Sequence, residues 1–411
     1  MRSVCCFCMV MSVSFVRVVF LFCLVLFVWR FLYGFFGWYV PYRLILCAGS
    51  TLAGLIIFAT HLIDPLTSFV GGVLSDIVGR KFVIVISLIF YACAALLLVF
   101  HSVLWSVVIA LSIILLIVES TAIASPALPA LLADNVPQDY LGRAYAKCSI
   151  AALAGAATGA SLLVTLLNVD KTLFILTVLT LCIVSAIALV PLRETRQIHE
   201  KSCSAEGFSV GFRSLLGSVK EFWRERPDLL CLALANAIGQ GLAGTYLAAY
   251  VTETRHIGEV LVGFAYTCMI VGQGITRYVI SHVLDKKPEI VRTLILAGTF
   301  TMGLSWLILV YSPGLYVIIP FVISGIVSQL FAVATGLLLL RTASPEARGT
   351  IFGTFQTIYN TVYTIAIPLG GLVYSIDKNL PIIIISAITL TTTPILEQLI
   401  LKQQLHNNRN S

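Results

Sequence analysis

"GGVLSDIVGRK", Gly71 to Lys81, is a short polar knot between two long apolar runs, residues 44–71 and 82–100. Asp76, Arg80 and Lys81 crowd into it, although charged residues make up only 11% of the 411-residue chain. Gly72 and Gly79 are spaced around them. The chain is 59% hydrophobic, more than a soluble domain can cover, since roughly half is already the globular norm. A run of about 20 apolar residues is long enough to cross a bilayer as a helix. In lipid the backbone must satisfy its own hydrogen bonds within such a segment. The ten-residue alternation of a barrel is absent.

Working outward from the knot gives twelve expected spans: 16–40, 44–71, 82–100, 103–133, 144–167, 172–192, 228–251, 259–284, 290–311, 314–340, 350–375 and 380–400. With twelve spans, the even-numbered connectors and both termini share one side. That side gathers 20 of the 26 Lys and Arg, and the other side holds only Arg43, Lys171, Arg255 and Lys378. Excess Lys and Arg marks the cytoplasmic face, so both termini are expected inside. The net charge of +7 follows from this asymmetry and does not point to nucleic acid.

The eleven cysteines sit mostly in spans, as Cys23, Cys93 and Cys182 do, and show no metal spacing. A buried cysteine behaves as a small hydrophobe, and a disulfide framework belongs to exported, loop-rich domains. No metal or cofactor is expected. The opening "MRSVCCFCMVMSVSF" is broken by Arg17 and lacks a small-residue cleavage site, so no cleavable signal is expected.

Three stretches are expected along the chain: a six-span half over 1–193, a cytoplasmic linker over 194–227 and a second six-span half over 228–411. In the linker, Phe212, Leu215, Leu216, Val219, Phe222 and Trp223 recur at helical spacing, as in an amphipathic helix on the membrane surface. The halves echo each other. "VLSDIVGRK" (73–81) aligns with "VISHVLDKK" (279–287) at an offset of 206. Pro137 in "ADNVPQDYLGRA" matches Pro345 in "ASPEARGT" at an offset of 208. His282 takes the place of Asp76 in the second half, so the second motif is degenerate. Parallel repeats of this kind build transporters, with the binding site near the bilayer midplane.

The motif Gly72-x-Leu74-Ser75-Asp76-x-x-Gly79-Arg80-Lys81 resembles the connector between helices 2 and 3 of the major facilitator superfamily. Ile77 stands where the family carries a basic residue. "RFLYGFFGWYVPY" (30–42) is similar to the family's first helix, and "SPALPALLADNVPQDYLGRA" and "SPEARGTIFG" resemble its helix 4–5 and 10–11 passages. The resemblance covers essentially the whole chain. It implies an all-α polytopic membrane protein, twelve transmembrane helices in two six-helix pseudo-repeats, working by alternating access. In physical terms, Gly72 admits a neighbouring helix, Gly79 permits a tight turn, and Asp76 meets a cation or a helix N-terminus. Arg80 and Lys81 anchor at the headgroups. Together Gly72, Asp76, Gly79, Arg80 and Lys81 are expected to gate the inner side.

Ionisable residues inside spans mark function by default, because a lone charge there is costly. Arg30 and Glu119 each lie about 20 Å in from the cytoplasmic end. In the resembled family helices 1 and 4 line the cavity, so the two are expected to face each other. Arg30 then anchors an anionic group with its guanidinium fork and Glu119 acts as counter-ion or proton carrier; alternatively they form a permanent ion pair. His61 and Asp64, three residues apart on one helix face, either carry protons or make a helix contact, with Pro65 loosening the backbone beside them. Asn236 and Gln240 share a face of span 7, and Gln356 and Asn360, with Tyr359 and Tyr363, lie on span 11. These groups suit hydroxyl and carbonyl ligands or serve as interhelical glue. Gln240, Gln356 and Asn360 join Arg30 and Glu119 as candidate substrate contacts.

The expected function is secondary active transport, coupled to protons, of a small polar or anionic solute, by a monomer in the plasma membrane whose surroundings are lipid. The alternative is efflux of lipophilic compounds. Against it, the arginine that many drug–proton antiporters of the family carry in helix 4 is replaced by Ile114 or Ile117, and span 5, "AGAATGA", has no proline. An enzyme is not expected: acidic clusters for Mg²⁺ and the familiar hydrolase motifs are missing. A nucleotide-binding Gly-Lys-Ser/Thr loop is missing too.

Overall fold

The computed structural model describes residues 2–104, 107–194, 226–286, 290–342 and 348–410. The linker helix expected over 212–224, Pro345 and the side chains of Gly72, Asp76, His282 and Gln356 lie outside the described residues. Among the described residues every regular element is helical. Eleven stretches are long and apolar enough to cross a membrane, and a helix over Arg348–Ile376 covers the remaining expected span. Large apolar side chains face outward, with Phe20 65%, Ile187 63% and Ile275 61% exposed. A water-soluble chain would bury these; here lipid is their solvent.

The chain folds into two compact units. Unit 1 comprises Met1–Gly49, Ile56–His199 and Gly258–Ile270, and unit 2 comprises Ser50–Leu55, Glu200–Ile257 and Val271–Ser411. The elements run in chain order as α1 Arg2–Ala48, α2 Ser50–His61, α3 Ile63–Ile77, α4 Arg80–Leu104, α5 Val107–Ser120, α6 Ala127–Asn135, α7 Gln138–Val169 and α8 Lys171–Leu189. They continue as α9 Pro227–Leu242, α10 Leu247–Arg255, α11 Glu259–Lys286, α12 Val291–Tyr311, α13 Ile318–Thr342, α14 Arg348–Ile376 and α15 Leu380–Asn410.

Prolines and one glycine decide where helices bend and stop. The first span was expected to end at residue 40, before Pro41, with the second starting at 44. Instead α1 continues through Pro41 to Ala48. A membrane helix tolerates the single hydrogen bond that proline removes. The stop is Gly49, whose φ of 78° is left-handed, open to glycine without a Cβ clash. Pro65 has no N–H for the carbonyl of His61 and its ring collides there. The second span accordingly breaks into α2 and α3 at Leu62. Pro126 and Pro129 act likewise on the fourth span, which passes from α5 through a 3₁₀ turn, Thr121–Ala124, into α6.

In unit 1 the tightest packing joins α1 and α7. A Cβ built on Gly159 would lie 2.6 Å from the carbonyl carbon of Phe31, and one on Gly155 would lie 2.9 Å from that of Phe27. The two backbones touch because neither position carries a side chain. Phe35 and Phe36 on α1, Phe174 on α8 and Tyr91 on α4 fill the interior beside this seam, all fully buried. The first turns of α11 belong to the same unit. There Arg43 Nη1 donates to Glu259 Oε1 at 3.1 Å, Thr267 Oγ1 donates to the Ala157 carbonyl at 2.5 Å, and Trp38 stacks on Tyr266. In unit 2, Ser50 at the start of α2 donates to the Gly371 carbonyl at 2.9 Å. Tyr246 donates to the Ile367 carbonyl at 2.7 Å.

Candidate functional site

Three ionisable groups of unit 1 gather where proline breaks the second span. His61 is the last residue of α2, and Asp64 lies in the first turn of α3. His61 Nδ1 is 3.6 Å from Glu119 Oε1, and both side chains are largely buried. Asp64 is within electrostatic reach of both His61 and Glu119. One imidazole and two carboxylates are thus brought within electrostatic reach of one another. The expectation had placed Glu119 opposite Arg30 and treated His61 with Asp64 separately.

Arg30 is exposed, and its guanidinium packs over the rings of Trp29 and Tyr33, 5.0 Å and 5.5 Å from their centroids. Among the described residues no ion pair joins it to Glu119. The group that both reach is Tyr91, wholly buried and within electrostatic range of Arg30, Tyr33 and Glu119. Its hydroxyl shares a 3.1 Å hydrogen bond with that of Thr121. An arginine spread on aromatic faces keeps its N–H donors at the rim free for an anion. Tyr33, three residues after Arg30, follows from helical spacing; Tyr91 carried no sequence signal, being one polar residue in an apolar run, and Thr121 stands two residues after Glu119 with nothing to say that it meets Tyr91.

The knot at 71–81 is stitched within unit 1. Gly79, at φ 121°, lets the chain turn. The Lys81 N–H donates to Glu194 Oε1 at 3.1 Å, and Lys81 Nζ donates to the Val190 carbonyl at 3.0 Å. Arg80 pairs with Asp134 and donates to the Ala130 carbonyl at 2.9 Å. Asn135 exchanges hydrogen bonds with the backbone of Arg193. Arg80 and Lys81, expected to anchor at headgroups, also tie the start of α4 to the ends of α6 and α8. Asp134, Asn135 and Glu194 went unread because nothing in their local sequence sets them apart from other end-of-helix polar residues.

In unit 2, Asn236 and Gln240 line one small cavity with Thr299, Trp306 and Thr389. Its volume of about 20 Å³ has room for a single water. Thr299 and Thr389 are bonded back to their own helices, to the carbonyls of Ile295 and Ile385. Asn360 is half-buried on α14, and Gln356 is a residue of the same helix. Two of the four isolated cations at the other span ends are held by acids: Arg43 by Glu259 and Lys378 by Glu253.

Among the described residues no cluster of three or more His, Cys, Asp or Glu could hold a metal ion. No curated protein matches the chain. The family model of the major facilitator superfamily matches residues 18–366 and 229–401. The nucleoside transporter NupG superposes with a TM-score of 0.68 at 12% identity, over 93% of this chain and 99% of that one. A bacterial homolog of the human lysosomal transporter Spinster, inward-facing and unoccupied, gives 0.63 at 14% over 95% and 98%. A POT family transporter in complex with a thioalcohol-conjugated peptide gives 0.68 at 13% over 94% and 96%. With the described residues of the twelve expected spans lying in helices and their short connecting turns, and the family model matched over residues 18–401, this integral membrane protein is a transporter of the major facilitator superfamily.

Proposed function

We propose that the chain is a proton-coupled secondary transporter that moves a small polar or anionic solute by alternating access. The carrying observation is the meeting of His61, Asp64 and Glu119 within membrane-spanning helices. Acidic and imidazole groups at such depth are the parts of proton relays. Arg30, with its guanidinium over the Trp29 and Tyr33 rings, binds the anionic group of the solute, and a guanidinium fork matches carboxylate or phosphate. Gln240, Gln356 and Asn360, all of unit 2, are neutral hydrogen-bonding groups suited to hydroxyls and carbonyls. The knot of Gly72, Asp76, Gly79, Arg80 and Lys81 gates the cytoplasmic side of a plasma-membrane protein with both termini inside. Its structural neighbours include a nucleoside transporter and a transporter in complex with a conjugated peptide, which supports a polar cargo.

A thermal-shift screen against carboxylated, phosphorylated and neutral metabolites and lipophilic drugs, on wild type and Arg30→Ala, finds the cargo. Ligand at 100 times its Kd stabilises by about 2.7 kcal/mol. The identified solute is then given to proteoliposomes containing a pH dye. Solute-driven proton entry is expected in wild type and lost in Glu119→Gln. Proton entry undiminished in Glu119→Gln would refute the coupling role. Equal shifts of both proteins by lipophilic compounds alone would make this an efflux carrier.

A further inference from the structure

Away from the ionisable groups, two thiols meet. Cys23 on α1 and Cys148 on α7 hold their sulfur atoms 3.7 Å apart, although 125 residues separate them in sequence. Both are free thiols. Cys148 is 1% exposed and Cys23 is half-buried, so one edge of the pair is open.

The glycine seam explains the meeting. Cys148, Gly155 and Gly159 follow one another at spacings of seven and four, on one face of α7. Cys23, Phe27 and Phe31 recur every four residues on one face of α1. Gly155 sits against Phe27 and Gly159 against Phe31, so the helices run parallel and in register. The cysteines are the next contact along that line. Backbones already touching at two consecutive points cannot carry the thiols apart. Lys147, exposed at the start of its span, brings a positive charge to bear on Cys23. Thiols beside a lysine with a second thiol in contact are the ones that respond to peroxide.

We propose that Cys23 and Cys148 form a redox-active dithiol that hydrogen peroxide closes into a disulfide. The Cys23 sulfur attacks one peroxide oxygen and the O–O bond breaks, giving a sulfenic acid and one water. The Cys148 sulfur then attacks the sulfenic sulfur, the S–O bond breaks, and a second water leaves. Two electrons pass from the thiols to the peroxide, and both thiol protons end on the waters. A dithiol reductant reverses the step. The same pair takes one trivalent arsenical: two As–S bonds form, and the oxide oxygen leaves as water with both thiol protons.

The full chain, purified in detergent, is treated with hydrogen peroxide, then counted for free thiols with a polyethylene-glycol maleimide and mapped by peptide mass spectrometry. Wild type is expected to lose two labels, to regain both with dithiothreitol, and to yield a Cys23–Cys148 linked peptide pair. Cys23→Ser keeps its remaining Cys148 label, Cys148→Ser loses only the Cys23 label, as a sulfenic acid that dithiothreitol restores, and neither variant yields the linked peptide pair. Phenylarsine oxide protects the same two thiols in wild type and none in either variant. The proposal is overturned if wild type keeps all its labels, if Cys23 proceeds to sulfinic acid without a link, or if the link joins other cysteines. Should a serine variant fail to fold, the wild-type peptide map decides alone.

Discussion

Replacing Gly159 by alanine tests whether the α1–α7 seam holds unit 1 together. The added Cβ would stand 2.6 Å from the Phe31 carbonyl carbon and closer still to its oxygen. Carbon atoms rest at about 3.5–4.0 Å, so the helices must part locally by about 1 Å. What blocks the methyl is backbone, which cannot swing aside as a side-chain end can. A gap of 0.5–1 Å forfeits about a quarter to a half of each dispersion contact it opens. Overpacking of this kind costs about 1–3 kcal/mol, and the second tight point at Gly155 puts Gly159→Ala in the upper part of that range. For a unit of this size, about 2 kcal/mol corresponds to a fall of about 4–8 °C in the unfolding temperature. Gly258→Ala is the control, since nothing lies within 4 Å of a Cβ there. Both variants are unfolded in the same detergent and followed by tryptophan fluorescence. A Gly159→Ala melting point within 1 °C of the control would refute the claim that backbone contact, rather than general apolar packing, sets the seam.

Gly79→Ala should destabilise by about 1–3 kcal/mol, because a side chain at its φ of 121° is strained. The new Cβ also meets Glu194 Oε1 at 2.7 Å, so the Lys81 N–H contact weakens with it; an unchanged melting point would count against the stitched knot. Tyr246→Phe should cost about 1 kcal/mol in the same assay, the hydrogen bond from its 1%-exposed side chain to the Ile367 carbonyl being removed. A neutral result there would mean that the hydroxyl contributes no more than the ring.

The spans were legible because lipid imposes one rule on every segment: a long apolar run must be a helix. The knot at 71–81 was legible because charge is scarce and stands out. The first boundary was misplaced because sequence weighs proline as a stop, whereas Pro41 removes one hydrogen bond and Gly49 reverses the chain's path. The neighbour of Glu119 was illegible for a related reason. Which residue meets it depends on the bend that Pro65 puts between α2 and α3, and spacing along one helix says nothing about a bend's direction. Arg80 and Asp134 are 54 positions apart, and the two thiols 125. Such pairs follow from how helices dock, a property of many side chains at once. The glycines of "AGAATGA" leave room for a neighbouring backbone but do not name the partner.

The short segments exchanged between the sequence halves set an order of events during synthesis. Gly258–Ile270 belongs to unit 1, yet it is made only after the first six spans and the long polar stretch that follows them. Until it emerges, Arg43 lacks Glu259, Trp38 lacks Tyr266 and the Ala157 carbonyl lacks Thr267. Unit 1 therefore lacks these three partners until the first part of the chain's eighth span has been made. Ser50–Leu55, made early, waits in turn for Gly371. The two segments begin 208 positions apart, one of the two offsets seen in the internal repeat. A cut within residues 195–225 accordingly leaves two fragments that each lack a piece of themselves. Neither is expected to survive alone in the membrane, and making both in one cell restores what each is missing.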